Sequence, residues 1–330
     1  MAASVLRTPA FLSPQATLQI TSQAPKILKS LRPSALALPY PFSLLNNPES
    51  PEKWQTYENL LIACLKTGDD DNALAAINAL ETRFGPDNER VQALRGMYRE
   101  AVAKNDAELQ AILDDYENMV KANEGNMRIR KRRVALLKTL DRTQEAMRAL
   151  VKIVDVSPVD AEAWAELAEL NLEQGLYDKA VYCWEEVLLV MPNAWNIHAR
   201  LGEVEYLWAG AVDETKDKTR LISSSLRRYC RSIELCDDYL RGYYGLKLTS
   251  SKLIELLTKS QKTSGGFDAS GGLNTPPLGA VESLNELATS KLGQIVRRGA
   301  AKQTGWDGYD EAELIAARAL LDQDTQQIQR

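Results

Sequence analysis

The chain has 330 residues, of which 40 are Lys or Arg and 45 are Asp or Glu, giving a net charge of −5 at pH 7. This near balance argues against a nucleic-acid or anionic-membrane binder, because such proteins carry a basic excess. Four cysteines are too few for a disulfide scaffold and favour a reducing compartment. No apolar run approaches the roughly 20 residues that a membrane-spanning helix needs. Composition therefore predicts a soluble, intracellular protein with a hydrophobic core.

The segment 1–48 differs from the rest of the chain, because it holds seven prolines and no Asp or Glu. Prolines at this density disfavour long helices and strands. We therefore expect a Pro-rich N-terminal extension that is flexible or packs irregularly onto the first helices. A mitochondrial transit peptide is the alternative, since such peptides are basic and poor in acidic residues. The prolines argue against the amphipathic helix that a transit peptide needs.

From residue 51 onward, apolar residues recur with the period of an amphipathic helix. Trp54, Tyr57, Leu61 and Cys64 share one face of the first such segment, and Gly68 ends it. Similar segments of about 14 residues continue to about residue 260, separated by short Gly, Asp and Asn breaks. No segment alternates as a strand does, so the pattern predicts an all-α chain.

A two-helix pattern recurs at intervals of about 34 residues, a period typical of helical repeat proteins. Its clearest copy, 161–194, reads Trp-x2-Leu-Ala-x6-Gly-x-Tyr-x2-Ala-x3-Trp-x7-Pro. This resembles the tetratricopeptide repeat, in which large residues fill the space between helices, a small residue permits close approach, Gly makes the turn and Pro ends the second helix. We predict repeat-packing roles for Trp164, Leu167, Gly175, Tyr177, Ala180, Trp184, Pro192, Ala146, Leu150 and Pro158.

Weaker copies of the repeat occupy 54–87 and 127–160, and a degenerate copy occupies 93–126. In the degenerate copy, Ile112 falls where Ala is usual. A fifth unit begins at about residue 195, and the polar run 213–218 is expected to expand its loop.

The predicted fold class is an all-α tetratricopeptide-repeat superhelix (α-solenoid) of about five helix pairs with C-terminal capping helices, since the end of a repeat stack must be closed off. The expected parts are the N-terminal extension at 1–50, the solenoid at 51–260, a flexible Gly/Ser loop at 261–280 and the capping helices at 281–330.

No motif in the sequence points to catalysis. Glycine-rich phosphate-binding loops are missing, and the five residues between Cys230 and Cys236 are poor spacing for zinc. Both cysteines fall on the apolar face of a predicted helix and are expected in the core. His198, the single histidine, stands one repeat after Trp164, which predicts a packing role. We expect no enzyme activity, no cofactor and no metal.

Charged residues are the best candidates for partner binding. By resemblance to tetratricopeptide superhelices, the groove-facing positions of two neighbouring repeats form a basic row and an acidic row. One interpretation is a charge step that orients a bound segment, and the other is that the two rows neutralise each other. Tyr98 is expected as an exposed aromatic anchor. The rows consist of Arg128, Lys131, Arg132 and Lys138, and of Glu162, Glu166 and Glu169.

A clamp for the C-terminal carboxylate of a chaperone is a further possibility. Arg128, Lys131 and Arg132 supply the bases, but Ala135 stands where such repeats carry their first Asn. Because the clamp is incomplete, a free co-chaperone adaptor is kept as the alternative hypothesis.

Several segments are more specific than a general repeat, and they include Arg90–Ala101, Arg130–Ala135, Ala163–Asn171, Tyr177–Val187 and Arg241–Leu246. Over residues 51–260 the sequence resembles the family of subunit 2 of the endoplasmic reticulum (ER) membrane protein complex. The resemblance implies a non-catalytic scaffold on the cytosolic side of the ER membrane. Its partners would be the other subunits, namely the cytosolic parts of membrane subunits and a second soluble subunit where present. It further implies that the complex inserts tail-anchored and multipass proteins.

Overall fold

A computed structural model describes residues 13–31, 51–263, 275–301 and 309–328, and these ranges contain fifteen α-helices and no strand. The helices are α1 Pro14–Ser22, α2 Ala24–Leu31, α3 Pro51–Thr67, α4 Asp70–Phe84, α5 Glu89–Val102, α6 Asp106–Ala122, α7 Met127–Thr139, α8 Thr143–Val156, α9 Ala161–Glu173, α10 Tyr177–Val190, α11 Trp195–Ala211, α12 Thr215–Leu235, α13 Leu240–Thr263, α14 Leu278–Ala300 and α15 Glu311–Ile328.

The chain divides into two compact units, 1–149 and 150–330, with the boundary inside α8. In each unit the helices form pairs joined by short turns. Within the second unit, each helix from α9 to α14 packs on the helix that follows it, and α11 also contacts α13. Within the first unit, α4 packs on α5 and α6 on α7, while α5 also contacts α7. Because this is the packing of tetratricopeptide repeats, the predicted fold class is confirmed.

The repeat period is visible in the helix starts, since α7, α9 and α11 begin at equal intervals along the chain. Asn126 and Asp160 cap the first two of these helices, because their Oδ1 atoms accept hydrogen bonds of 3.1 Å from the backbone N–H groups of Ile129 and Ala163. Ala194 holds the equivalent place before α11 and makes no side-chain cap.

Ala194→Asp is therefore expected to raise the free energy of unfolding by about 1 kcal/mol, the usual contribution of an N-cap side chain. Chemical denaturation followed by circular dichroism measures the change, with Ala194→Val as the control that adds volume without a cap. A midpoint that stays unchanged in Ala194→Asp would show that α11 gains nothing from a cap.

The second repeat is longer than the sequence pattern suggested. Helix α5 begins at Glu89 and α7 begins at Met127, a wider interval than the one from α7 to α9, so the predicted boundaries of 93–126 are wrong. Counted from the helix starts, Ile112 on α6 corresponds to Ala149 on α8 and not to Ala146. On this count Leu109 stands at the place of Ala146, so the copy lacks the small residue in either register.

The N-terminal prediction of flexible or irregular structure is wrong for residues 14–31, which form α1 and α2. Pro14 is the first residue of α1, and Pro25 is the second residue of α2. Proline is tolerated there because the first N–H groups of a helix have no intrahelical acceptor. Ile20 and Leu28 are buried in the same core as the α3 and α4 side chains. The predictions for residues 1–12 and 32–50 lie outside the described residues.

Two predicted loops are shorter than expected. The polar run 213–218 is mostly the first turn of α12, since this helix begins at Thr215. Helix α13 continues to Thr263 and α14 begins at Leu278, so both ends of the predicted 261–280 loop are helical. The prediction for residues 264–274 lies outside the described residues. Helices α14 and α15 lie where the capping helices were predicted.

The predicted packing residues differ in burial. Five are buried, Trp164 and Tyr177 are half-buried, and Gly175 has φ of +72° at an exposed turn. Pro158 and Pro192 are exposed two residues beyond the ends of α8 and α10. The buried five are Leu167, Ala180, Trp184, Ala146 and Leu150. In the described part of the chain, no helix combines the length and apolar character needed to span a membrane.

Candidate functional site

The basic row lies on α7, in the first unit, and the acidic row lies on α9, in the second unit. Arg128 and Lys138 are exposed, while Lys131 and Arg132 are half-buried. Glu162 on α9 is exposed, and the other two acidic residues, Glu166 and Glu169, are half-buried. Both helices bury their apolar stripe, Ile129, Val134, Leu136 and Leu137 on α7 and Ala163, Leu167, Ala168 and Leu170 on α9.

Arg132 contacts α5, the first helix of the preceding repeat in the same unit. Its guanidinium forms an ion pair with Glu100 on α5, and Nε donates to Oε1 over 3.2 Å. Tyr116 on α6 donates its hydroxyl proton to the same carboxylate. Burial, together with this carboxylate, raises the pKa of Tyr116 above its ordinary value. An ideal Cβ on Gly96 would lie 2.1 Å from the Tyr116 hydroxyl oxygen, so only glycine leaves room for this network.

Ion pairs of the same kind join the first helices of other two-helix repeats. Arg90 on α5 pairs with Glu58 on α3. Arg200 on α11 pairs with Glu169 on α9, with Nε 2.8 Å from Oε1. Together with the Arg132–Glu100 pair, these form a set that we call the helix-A ion pairs. They connect first helices of consecutive repeats within each unit. Sequence reasoning missed them, although the sequence separation of the partners, 31 or 32 in each pair, is a readable signal.

These pairs change the interpretation of two predicted partner-binding residues. Arg132 and Glu169 each have an ion-pair partner within their own unit. These ion pairs contribute to the packing of one repeat on the next. Arg128, Lys138 and Glu162 are the exposed members of the rows and remain the strongest candidates for partner contact.

Tyr98 is not the exposed anchor that the sequence suggested. It is half-buried and packs against the core of the first unit. The reason is its position on α5, four residues after Leu94 and seven after Val91, both of which are buried. Residues at this spacing share one face of a helix.

His198 repeats a hydrogen bond made by Trp164. Nε1 of Trp164 donates to the carbonyl oxygen of Pro158 over 2.9 Å, and Nε2 of His198 lies 3.1 Å from the carbonyl oxygen of Pro192, in each case six residues earlier. Because a carbonyl can only accept, Nε2 carries the proton. Burial lowers the pKa of His198, which favours the neutral ring and a structural role.

A buried carboxylate in the second unit was also missed. Glu205 on α11 is 4% exposed. Its Oε1 accepts a 2.9 Å hydrogen bond from Ser224 and lies 3.5 Å from Nε of Arg228, both on α12. Arg228 also pairs with Glu185 on α10. Burial raises the pKa of Glu205, and Arg228 counters part of that rise.

Comparison with known proteins identifies the family. The model of the EMC2 TPR-like repeat domain matches residues 86–212. A TPR repeat protein of Schizosaccharomyces pombe, oca3, is 32% identical over 205 residues, which cover 62% of this chain and 69% of that protein. ER membrane protein complex subunit 2-A of Xenopus laevis is 31% identical over 197 residues, 60% of this chain and 62% of that protein. This chain belongs to the ER membrane protein complex subunit 2 family.

The family resemblance inferred from the sequence is thereby confirmed. Subunit 2 of Saccharomyces cerevisiae is 32% identical over 133 residues, 36% of this chain and 45% of that protein. The chain thus spans less than two thirds of the Xenopus and yeast relatives. The residues matched by the EMC2 TPR-like model extend from α5 to α11 and include both charged rows.

The cysteines of this subunit 2 family member are free, with Cys64 and Cys183 buried and Cys230 and Cys236 half-buried. Cys236 lies just after the last residue of α12, not within the helix as predicted. Burial raises the pKa of the Cys64 thiol to about 12 and that of the Cys230 thiol to about 11. These thiols are therefore protonated at neutral pH, and a protonated thiol is a poor nucleophile and metal ligand. Within the described ranges, no three His, Cys, Asp or Glu side chains group as metal ligands would.

Proposed function

We propose that this protein is a non-catalytic scaffold subunit of an ER membrane protein complex, held on the cytosolic side of the ER membrane by the other subunits. The observation that carries the proposal is the family match, which includes relatives named subunit 2 of that complex at 31–32% identity. In this proposal the assembled complex inserts tail-anchored and multipass proteins, and this chain positions the subunits that do so.

In this proposal the repeats present a binding surface that is already folded before the partner arrives. Each repeat buries its apolar side only against its neighbours, and the helix-A ion pairs tie first helices together within each unit. A partner segment then binds without a large ordering cost on the scaffold side. The exposed charges Arg128 and Lys138 of the first unit, and separately Glu162 of the second unit, would select partner segments by their charge.

Affinity purification of the tagged full chain in mild detergent tests this function. We expect integral membrane proteins to co-purify, and the double variant Arg128→Glu/Lys138→Glu to recover at least several-fold less of them. The matched control is Lys152→Glu/Lys179→Glu, which reverses two exposed charges on α8 and α10 outside both rows. A chain purified without any integral membrane protein would contradict the proposal.

The free co-chaperone adaptor has less support. Arg132, one of its three bases, is paired with Glu100, and Ala135 still stands in place of an Asn. That hypothesis requires a chaperone C-terminal peptide to bind with micromolar affinity and Lys131→Ala to abolish the binding. Under the scaffold proposal the peptide shows no saturable binding.

A further inference from the structure

We draw no further inference here: the strongest candidate, the patch of exposed apolar side chains that Tyr182, Leu189, Val190 and Met191 present along and just beyond α10 in the second unit, carries none because nothing in the described part of the chain shows what covers it.

Discussion

Gly245→Ala is expected to lower the free energy of unfolding by roughly 3 kcal/mol, the upper end of the usual cost of overpacking a core. An ideal Cβ at Gly245 would lie 2.0 Å from ring atoms Cε1 and Cζ of Tyr229. The opposite edge of the ring lies close to Gly202, where an ideal Cβ would be 3.0 Å from its Cε2 atom, and this restricts movement of the ring away from Gly245. Tyr229 is therefore held between two glycines, one on α11 and one on α13.

Two other helical glycines provide the matched control. At Gly210 on α11 and Gly293 on α14, an added Cβ meets no atom within 4 Å. Alanine at either position should raise stability by up to about 1 kcal/mol through helix propensity alone. Urea denaturation followed by circular dichroism measures all three variants. Equal effects at Gly245 and Gly210 would contradict the packing argument, whereas Gly245→Ala/Tyr229→Leu should recover most of the loss.

Arg228→Met is expected to cost roughly 3–5 kcal/mol at pH 7, because removing one partner of a buried ion pair leaves the other charge unpaired. The charge left behind is Glu205, whose side chain is 5% exposed. Methionine retains most of the apolar stem of the arginine, so the loss reports on the charge more than on packing. The free energy of unfolding from urea titrations at pH 5 and pH 7 measures it.

The pKa of Glu205 determines whether the stability cost of Arg228→Met rises or falls with pH. The folded-state pKa of Glu205 is raised by burial, so the folded chain binds this proton more tightly than the unfolded chain. The contribution of this group to the free energy of unfolding is fully present below the pKa that Glu205 has in the unfolded chain. It is lost as the pH rises through the pKa that Glu205 has in the folded chain. Arg228→Met raises that pKa further, so its cost should be larger at pH 7 than at pH 5.

Glu205→Gln removes the titrating group and should flatten this part of the pH dependence. The double variant Arg228→Met/Glu205→Gln should recover most of the stability lost at pH 7. An Arg228→Met cost that is the same at both pH values would show that Glu205 is not the source of the loss.

Local patterns predicted most of the helices. Trp54, Tyr57 and Leu61 share one face within α3, and side chains three to four residues apart meet on a helix whatever surrounds it. The glycine turn at Gly175, with its positive φ, likewise depends on a few adjacent residues. The misplaced second repeat shows the limit of this reasoning, since a search at one fixed interval does not place units whose helix starts are spaced more widely than those of α7, α9 and α11.

The helical period, the recurrence of helix pairs and membership of the family follow from the order of the amino acids alone, because each depends on residues close together in the chain or on short motifs. The packing of the helices was needed to show that Arg132 pairs with Glu100, that Tyr98 is half-buried, that Glu205 is enclosed and that Phe84 borders an open cleft. The physical reason is that burial and charge pairing depend on which helices pack together. Residues that are far apart in the chain, such as Glu58 and Arg90, become neighbours only after the repeats have stacked.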